Sequence, residues 1–402
     1  SEQSTPNIIA SHLDFPDWSE LAAPRPYAII ATTSDMFPFE GAKATEAEAR
    51  RFYTLFNAQS DLAFITGPGG HGNLRPILPQ ILAFFAAHLH PDTVYAKNLP
   101  PITDPFTQPP NKPGARPAFP PPPPVSLVQV TPTGQLSSSY SNIATVFTLN
   151  QARAATITTP HPKTLAALQQ AIREVTHAET HPGSKPPLNS PNPGPDADHI
   201  RHRLLLHSEQ GIDLAVEFFR PTSPGKHPEI LVLRDDLDQP DESPARAADL
   251  QRFHDLAVEG TAVFVVCPRP SPPGTEETKA PILGPFYLTG LRSQLVGKTL
   301  LGMRVDDVLH AIDFAADGYT VDPSKITAEA SGNLSLVLLH AAVLDPRLKH
   351  ITLSNILPSY RSLIATPLPV DAPQNILPGV LRHYDIPDLI RALGARVTVT
   401  TP

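Results

Sequence analysis

Apolar and polar positions along the chain fall into two regimes. In the first, the runs at 27–32 and 62–66 are short, apolar and bounded by turn residues, which predicts two strands. Between them Thr45 with Glu48 three places on has the pattern of a capping box, and Ala49, Phe52, Tyr53 and Phe56 recur at helical spacing. A second stripe (Ile77, Leu78, Ile81, Leu82, Phe85) predicts a helix over 77–89. Two strands and two helices are marginal alone in water, so this piece is expected to need a partner sheet.

In the second regime, residues 125–150 alternate around Thr133 and Gly134 and predict a hairpin, and 163–177 predicts a helix. From Arg201 onward strands are expected at 202–208, 212–220, 229–234, 261–267, 326–330, 350–355 and 395–400. Helices at 243–258 (Pro244 in the first turn), 304–316, 334–344 and 386–393 alternate with them. Apolar strands alternating with helices predict an α/β fold, a mostly parallel sheet with helices on both faces. The first two strands suit an antiparallel edge.

Composition adds boundaries. Prolines number 50, and 12 of them fall in the 25 positions 100–124, which makes that stretch a semi-rigid spacer. A second breaker-rich connector spans 182–196. The expected organisation is therefore 1–98, a linker at 99–125, a hairpin, helix and connector over 126–200, and a large unit over 201–402. A net charge of −8 argues against nucleic acid or anionic membrane as partner, and no apolar run reaches membrane-spanning length. The single cysteine, Cys267, excludes an intrachain disulfide and lies in an apolar run that suits a buried small hydrophobe. The chain opens with Ser1 rather than Met, so an upstream segment is expected.

The sharpest chemistry is a pair. Asp35 follows the first strand, and His71 stands in G-P-G-G-H-G at 67–72 directly after the second. Strand-end Asp and Gly-flanked His are how a serine hydrolase presents the acid that orients an imidazole and the imidazole that moves the proton. The alternative is a turn Asp and a loop His that only packs. Ser331, in I-T-A-E-A-S-G-N-L at 326–334, follows a strand and precedes a helix as a nucleophile does. However, Glu329 and Asn333 occupy the glycine places of G-x-S-x-G, and Ser331 or Gly332 serves equally as a helix cap. Arg25 and Arg75 flank the His71 segment and suit an acidic sugar group, or surface carboxylates. The loop D-D-L-D-Q-P-D-E at 235–242 would repel an oxyanion. His88, His90, His199, His202 and His207 form no metal-ligand spacing, so no metal is expected.

The combination D-F-P-D-W (14–18), A-P-R-P (23–26), T-S-D-M-F-P (33–38), E-G-A (40–42) and G-P-G-G-H-G resembles the C-terminal part of bacterial acetyl xylan esterase and glucuronoyl esterase-like α/β-hydrolases. The resemblance covers about the first ninety residues. It implies that Asp35 and His71 are triad acid and base, and that the nucleophile and oxyanion loop of that unit precede residue 1. Residues 201–402 resemble the same superfamily more weakly, through the Ser331 region and A-A-V-L-D-P-R at 341–347. There Ser331 would be the nucleophile and Gly332 an oxyanion donor. That unit stops at Pro402, one strand short, without a triad acid or base. The resemblance implies a tandem protein: the end of one hydrolase unit, then a degenerate second one. The implied activity is cofactor-free, serine-dependent hydrolysis of a carbohydrate ester, and the implied setting extracellular or periplasmic. The alternative is a non-catalytic scaffold or carbohydrate-binding pseudo-hydrolase.

Overall fold

The structure, a computed structural model, describes residues 5–89, 124–178, 188–189, 200–237, 240–270, 281–317 and 320–400. The spacer at 99–125 lies outside the described residues except for its last two, as does the connector at 182–196 except for 188–189, and so do His90 and His199. Two units form, one of Ser11–Ile143 and one of Ser1–Ala10 with Ala144–Pro402. Residues 126–200, set apart in the sequence reading, are thus shared between them.

In the smaller unit Asp14 caps α1 (Phe15–Glu20) through a reciprocal capping box with Asp17. Strands β1 (Tyr27–Thr32) and β2 (Leu62–Gly67) pair in parallel, Tyr27 opposite Leu62 through Thr32 opposite Gly67. Helix α2 (Phe39–Leu55) sets Ala49 and Tyr53 on one face of this pair, against Tyr27, Ile29 and Leu62. Helix α3 (Leu78–His88), with Ile77 just before it, sets Ile81 on the other, against Ala28, Ala63 and Ile65. Among the described residues β1 and β2 make a sheet of two, and the second edge of β1 meets no strand. Helix α2 begins six residues before Thr45, which sits in its interior. Pro38 breaks the preceding chain, and residues 39–44 are held helical by the Lys43–Glu40 pair at 2.8 Å and by Lys43 over the Phe39 ring.

The hairpin expected at 125–150 is absent. Short helices α4 (Val125–Val128) and α5 (Leu136–Ser139) flank a turn at Gly134, and α6 (Val146–Ala155) follows in the larger unit. Side chains serve the backbone here in place of a strand ladder: Gln129 Nε2 donates to the carbonyls of Thr131 and Pro132, and the Thr133 amide donates to Ser139 Oγ.

Among the described residues the larger unit holds eight strands: β3 (Leu188–Asn189), β4 (Arg201–Glu209), β5 (Ile212–Phe219), β6 (His227–Leu233), β7 (Ala262–Val266), β8 (Val321–Ser331), β9 (Leu348–Ser354) and β10 (Val397–Thr400). Their spatial order is β3-β4-β5-β7-β6-β8-β9-β10. The strands from β7 through β10 are mutually parallel, and β5, β4 and β3 form the antiparallel edge. Strand residues alternate between two cores. Val232, Val263 and Val265 meet Phe253 and Ala257 of α8 (Pro244–Val258). Leu231, Phe264, Ala328 and Ile351 face the other way, towards α7 (Leu165–Thr176), α10 (Leu300–Asp317), α11 (Asn333–Leu344) and α13 (Ile386–Leu393), joined by Tyr360 of α12 (Tyr360–Ala365), while α9 (Tyr287–Leu295) adds no side chain to this core. Every residue of α11 from 334 to 344 is buried. Cys267 is buried at the end of β7.

Candidate active site

The smaller unit builds the acid and base together. The amides of Thr33 and Ser34 donate to the carbonyls of Gly67 and Gly69, both at 3.0 Å, which ties the chain after β1 to the loop after β2. Gly69 has φ +144, and a Cβ there would press to 2.9 Å from the Asn73 carbonyl oxygen, so the loop closes this tightly only around glycine. The result sets His71 Nδ1 3.1 and 3.3 Å from the two carboxylate oxygens of Asp35. Asp35 also accepts from the Phe37 amide at 2.9 Å and from Thr32 Oγ1 at 3.3 Å. The Phe37 amide first, with His71 and Thr32 behind it, holds the carboxyl below the usual range against a modest burial penalty. The imidazole is exposed, Phe37 meets its ring edge-on at 5.6 Å, and Nε2 has no hydrogen bond among the described residues.

Arg75 opens the turn that follows this loop. Arg25 precedes the amino end of β1, while Asp35 follows its carboxyl end. Six strand residues at about 3.3 Å each put roughly 20 Å between them. Arg25 is therefore not a substrate ligand beside His71; its Nε donates to the Ala22 carbonyl of its own turn.

The larger unit carries the strand-to-helix turn at β8 and α11. The residue in the strained conformation is Gly332, with φ 60 and ψ −133. An attacking serine owes its exposure to that strained position, and Ser331 stands one place before it. Ser331 is the last residue of β8, opposite Ser354, and its Oγ receives only a 3.4 Å contact from Asn355 Nδ2. The Gly332 amide donates to the Ser354 carbonyl at 2.9 Å, so it is occupied and is no oxyanion donor. A Cβ on Gly332 would meet no atom within 4 Å. Glu329, in a glycine place of the motif, is drawn to Arg252 of α8.

Sequence reasoning missed the side chains that surround this turn. Asn333 Nδ2 donates to Asp371 Oδ2 at 2.9 Å, and Asn375 Nδ2 to Asn333 Oδ1 at 2.6 Å. Gln374 bonds Asp371 through Nε2 and accepts Arg304 Nη1 at 2.6 Å through Oε1. Arg304 is 1% exposed, donates from Nε to the Arg269 carbonyl at 2.8 Å and lies 4.4 Å over the Phe286 ring. Burial raises the Asp371 carboxyl above its ordinary range, and a Cβ on Gly284 (φ +78) would overlap its Oδ1. Of the acidic loop at 235–242, Asp238 and Gln239 lie outside the described residues; Arg234 pairs with Asp236 at 2.5 Å and with Asp249.

No family model matches the chain, and neither does any curated protein. Among solved structures it is similar to a provisionally assigned acetyl xylan esterase of Bacteroides fragilis, with TM-score 0.53 and 12% identity over 64% of this chain and 75% of that one. The chain has an α/β-hydrolase fold. Fainter likenesses are to a glucuronoyl esterase of Solibacter usitatus (TM-score 0.42, 12% identity, 60% of this chain and 74% of that one) and acetyl xylan esterase 1 of a Thermoanaerobacterium (0.39, 14%, 62% and 81%). At such identities the likeness speaks for the fold alone. Among the described residues no helix is long and apolar enough to cross a membrane.

Proposed function

We propose that the larger unit is a hydrolase-fold domain that binds rather than cleaves, and that the smaller unit presents the acid and base of a serine-type carbohydrate esterase. The observation that carries the first half is Gly332 in the strained elbow position: no side chain is present to attack a carbonyl. For the second half, Asp35 fixes His71 with Nδ1 towards the carboxylate, leaving Nε2 to take a proton from an attacking hydroxyl and return it to the leaving alcohol. No cofactor enters this chemistry. The nucleophile would come from outside the elbow at β8, in keeping with a tandem arrangement whose first unit ends in residues 11–89.

The test uses p-nitrophenyl acetate and a fluorophosphonate label on the whole chain, with Ser331→Ala, His71→Ala and Asp35→Asn. Turnover that is absent, or present and unaltered in Ser331→Ala, supports the proposal. A fall of about 10²-fold or more in Ser331→Ala, or label on Ser331, overturns it. That outcome would favour a second reading, attack by Ser331, whose one supporting observation is that this side chain is exposed.

A further inference from the structure

The carboxyl group of Asp35 turns about one torsion, and for a carboxylate that torsion is broad, so a donor on one oxygen alone lets the group swing. Each oxygen of Asp35 has its own anchor besides His71. The Phe37 amide donates to Oδ1 at 2.9 Å, and Thr32 Oγ1 stands 3.3 Å from Oδ2. Thr32 ends β1 and is 2% exposed, and its branched Cβ stiffens χ1, so the hydroxyl is held where it stands. The same oxygen lies 3.2 Å from the carbonyl of Gly70, the residue next to His71. A hydroxyl has one proton to give, and a carboxylate draws it harder than a neutral carbonyl. One buried side chain therefore touches the acid on one side and the loop that carries the base on the other.

We propose that Thr32 is a positioning residue for the acid–base pair: its hydroxyl fixes the Asp35 carboxylate against His71 Nδ1, so that the imidazole keeps its proton there and Nε2 stays bare. The proposal rests on the reading of Asp35 and His71 as acid and base. Thr32 acts through Asp35 and through the Gly70 carbonyl, not on the substrate. The two carboxylate oxygens stand 3.1 and 3.3 Å from Nδ1, a nearly even approach that a swing of the carboxyl would break. The ring is exposed and is met edge-on by Phe37, a contact that does not choose between its nitrogens. The choice of tautomer therefore falls to the carboxylate, and a carboxylate that swings away forfeits it.

Nitrogen-15 NMR of the whole chain, labelled in its histidine rings, tests this at about pH 8, where an ordinary imidazole is neutral. His71→Ala identifies the His71 signals by their loss. The natural chain should show His71 mainly with Nδ1 protonated. Thr32→Val keeps the branched shape without the hydroxyl and should lower the ratio of Nδ1–H to Nε2–H by about tenfold, and Thr32→Ser should restore it. An unchanged ratio in Thr32→Val, or a ratio in Thr32→Ser as low as that of Thr32→Val, overturns the positioning role and leaves the acid–base reading standing. A natural chain with His71 protonated mainly at Nε2 overturns that reading, and the positioning role with it. If Thr32→Val does not fold, Thr32→Ala decides in its place, since it deletes the hydroxyl without setting a methyl beside the carboxylate.

Discussion

Glu229 should make the larger unit lose stability as the solution turns alkaline. It is 1% exposed in the middle of the sheet, on the face of β6 that carries Leu231, with Ala262 and Ile326 opposite it on the neighbouring strands. Neither carboxyl oxygen has a hydrogen-bond partner among the described residues, and burial alone pushes the group from 4.5 up to about 8. A folded-state value above the unfolded one means that the folded chain holds the proton more tightly. Stability is then full below pH 4.5 and falls as pH rises towards 8. At 1.36 kcal/mol for each tenfold in proton affinity, the whole loss is about 5 kcal/mol, a large share of the 5–15 kcal/mol that holds a typical domain. Urea denaturation at intervals from pH 5 to 9 reads it directly. Glu229→Gln should flatten the curve and raise stability at pH 8, although its amide still lacks partners. If natural chain and variant keep parallel curves across this range, the carboxyl is solvated or paired and the reasoning fails.

His340 should act in the opposite direction. It is fully buried, its Nδ1 donates to the Leu336 carbonyl at 2.7 Å and its Nε2 accepts from Tyr384 Oη at 2.9 Å, and burial lowers it from 6.5 to about 4. The stability it supports is present above pH 6.5 and drains away as pH falls towards 4, by about 3 kcal/mol in all. Acid denaturation of His340→Met against the natural chain should show the shallower slope in the variant. Gly332→Ala, where the new methyl meets no atom, isolates the backbone cost of the turn: a loss of about 1–3 kcal/mol in a thermal melt is expected, and an unchanged melting temperature would show that the turn is not strained.

Strands β6 and β7 of the larger unit were legible because each carries an unbroken apolar run, at 230–233 and 262–266, and helix α13 is found where the pattern placed it, with Asp385 and Asp388 forming a capping box and Gly394 following. The hairpin misled because period-two alternation at 125–130 coexists with exposed valines and side chains that bond their own backbone. Thr45 misled because a capping pattern inside a good helix former starts nothing once Pro38 has set the beginning. The elbow was placed one residue early, since counting from a serine cannot reveal which residue takes the positive φ; the glycine itself was the available signal. Asp371 and Asn375 reach Asn333 from about forty residues downstream, a relation that only folding creates.

Helix α11 has no face turned to water. It is enclosed by β8 and β9 and by helices α7, α10 and α13, so its covering comes from segments spread between residues 165 and 393. Such a helix has no partly covered state that water tolerates. The larger unit should therefore unfold in one cooperative step, and a version trimmed of α7 or α13 would expose an apolar rod and aggregate in place of yielding a smaller stable domain.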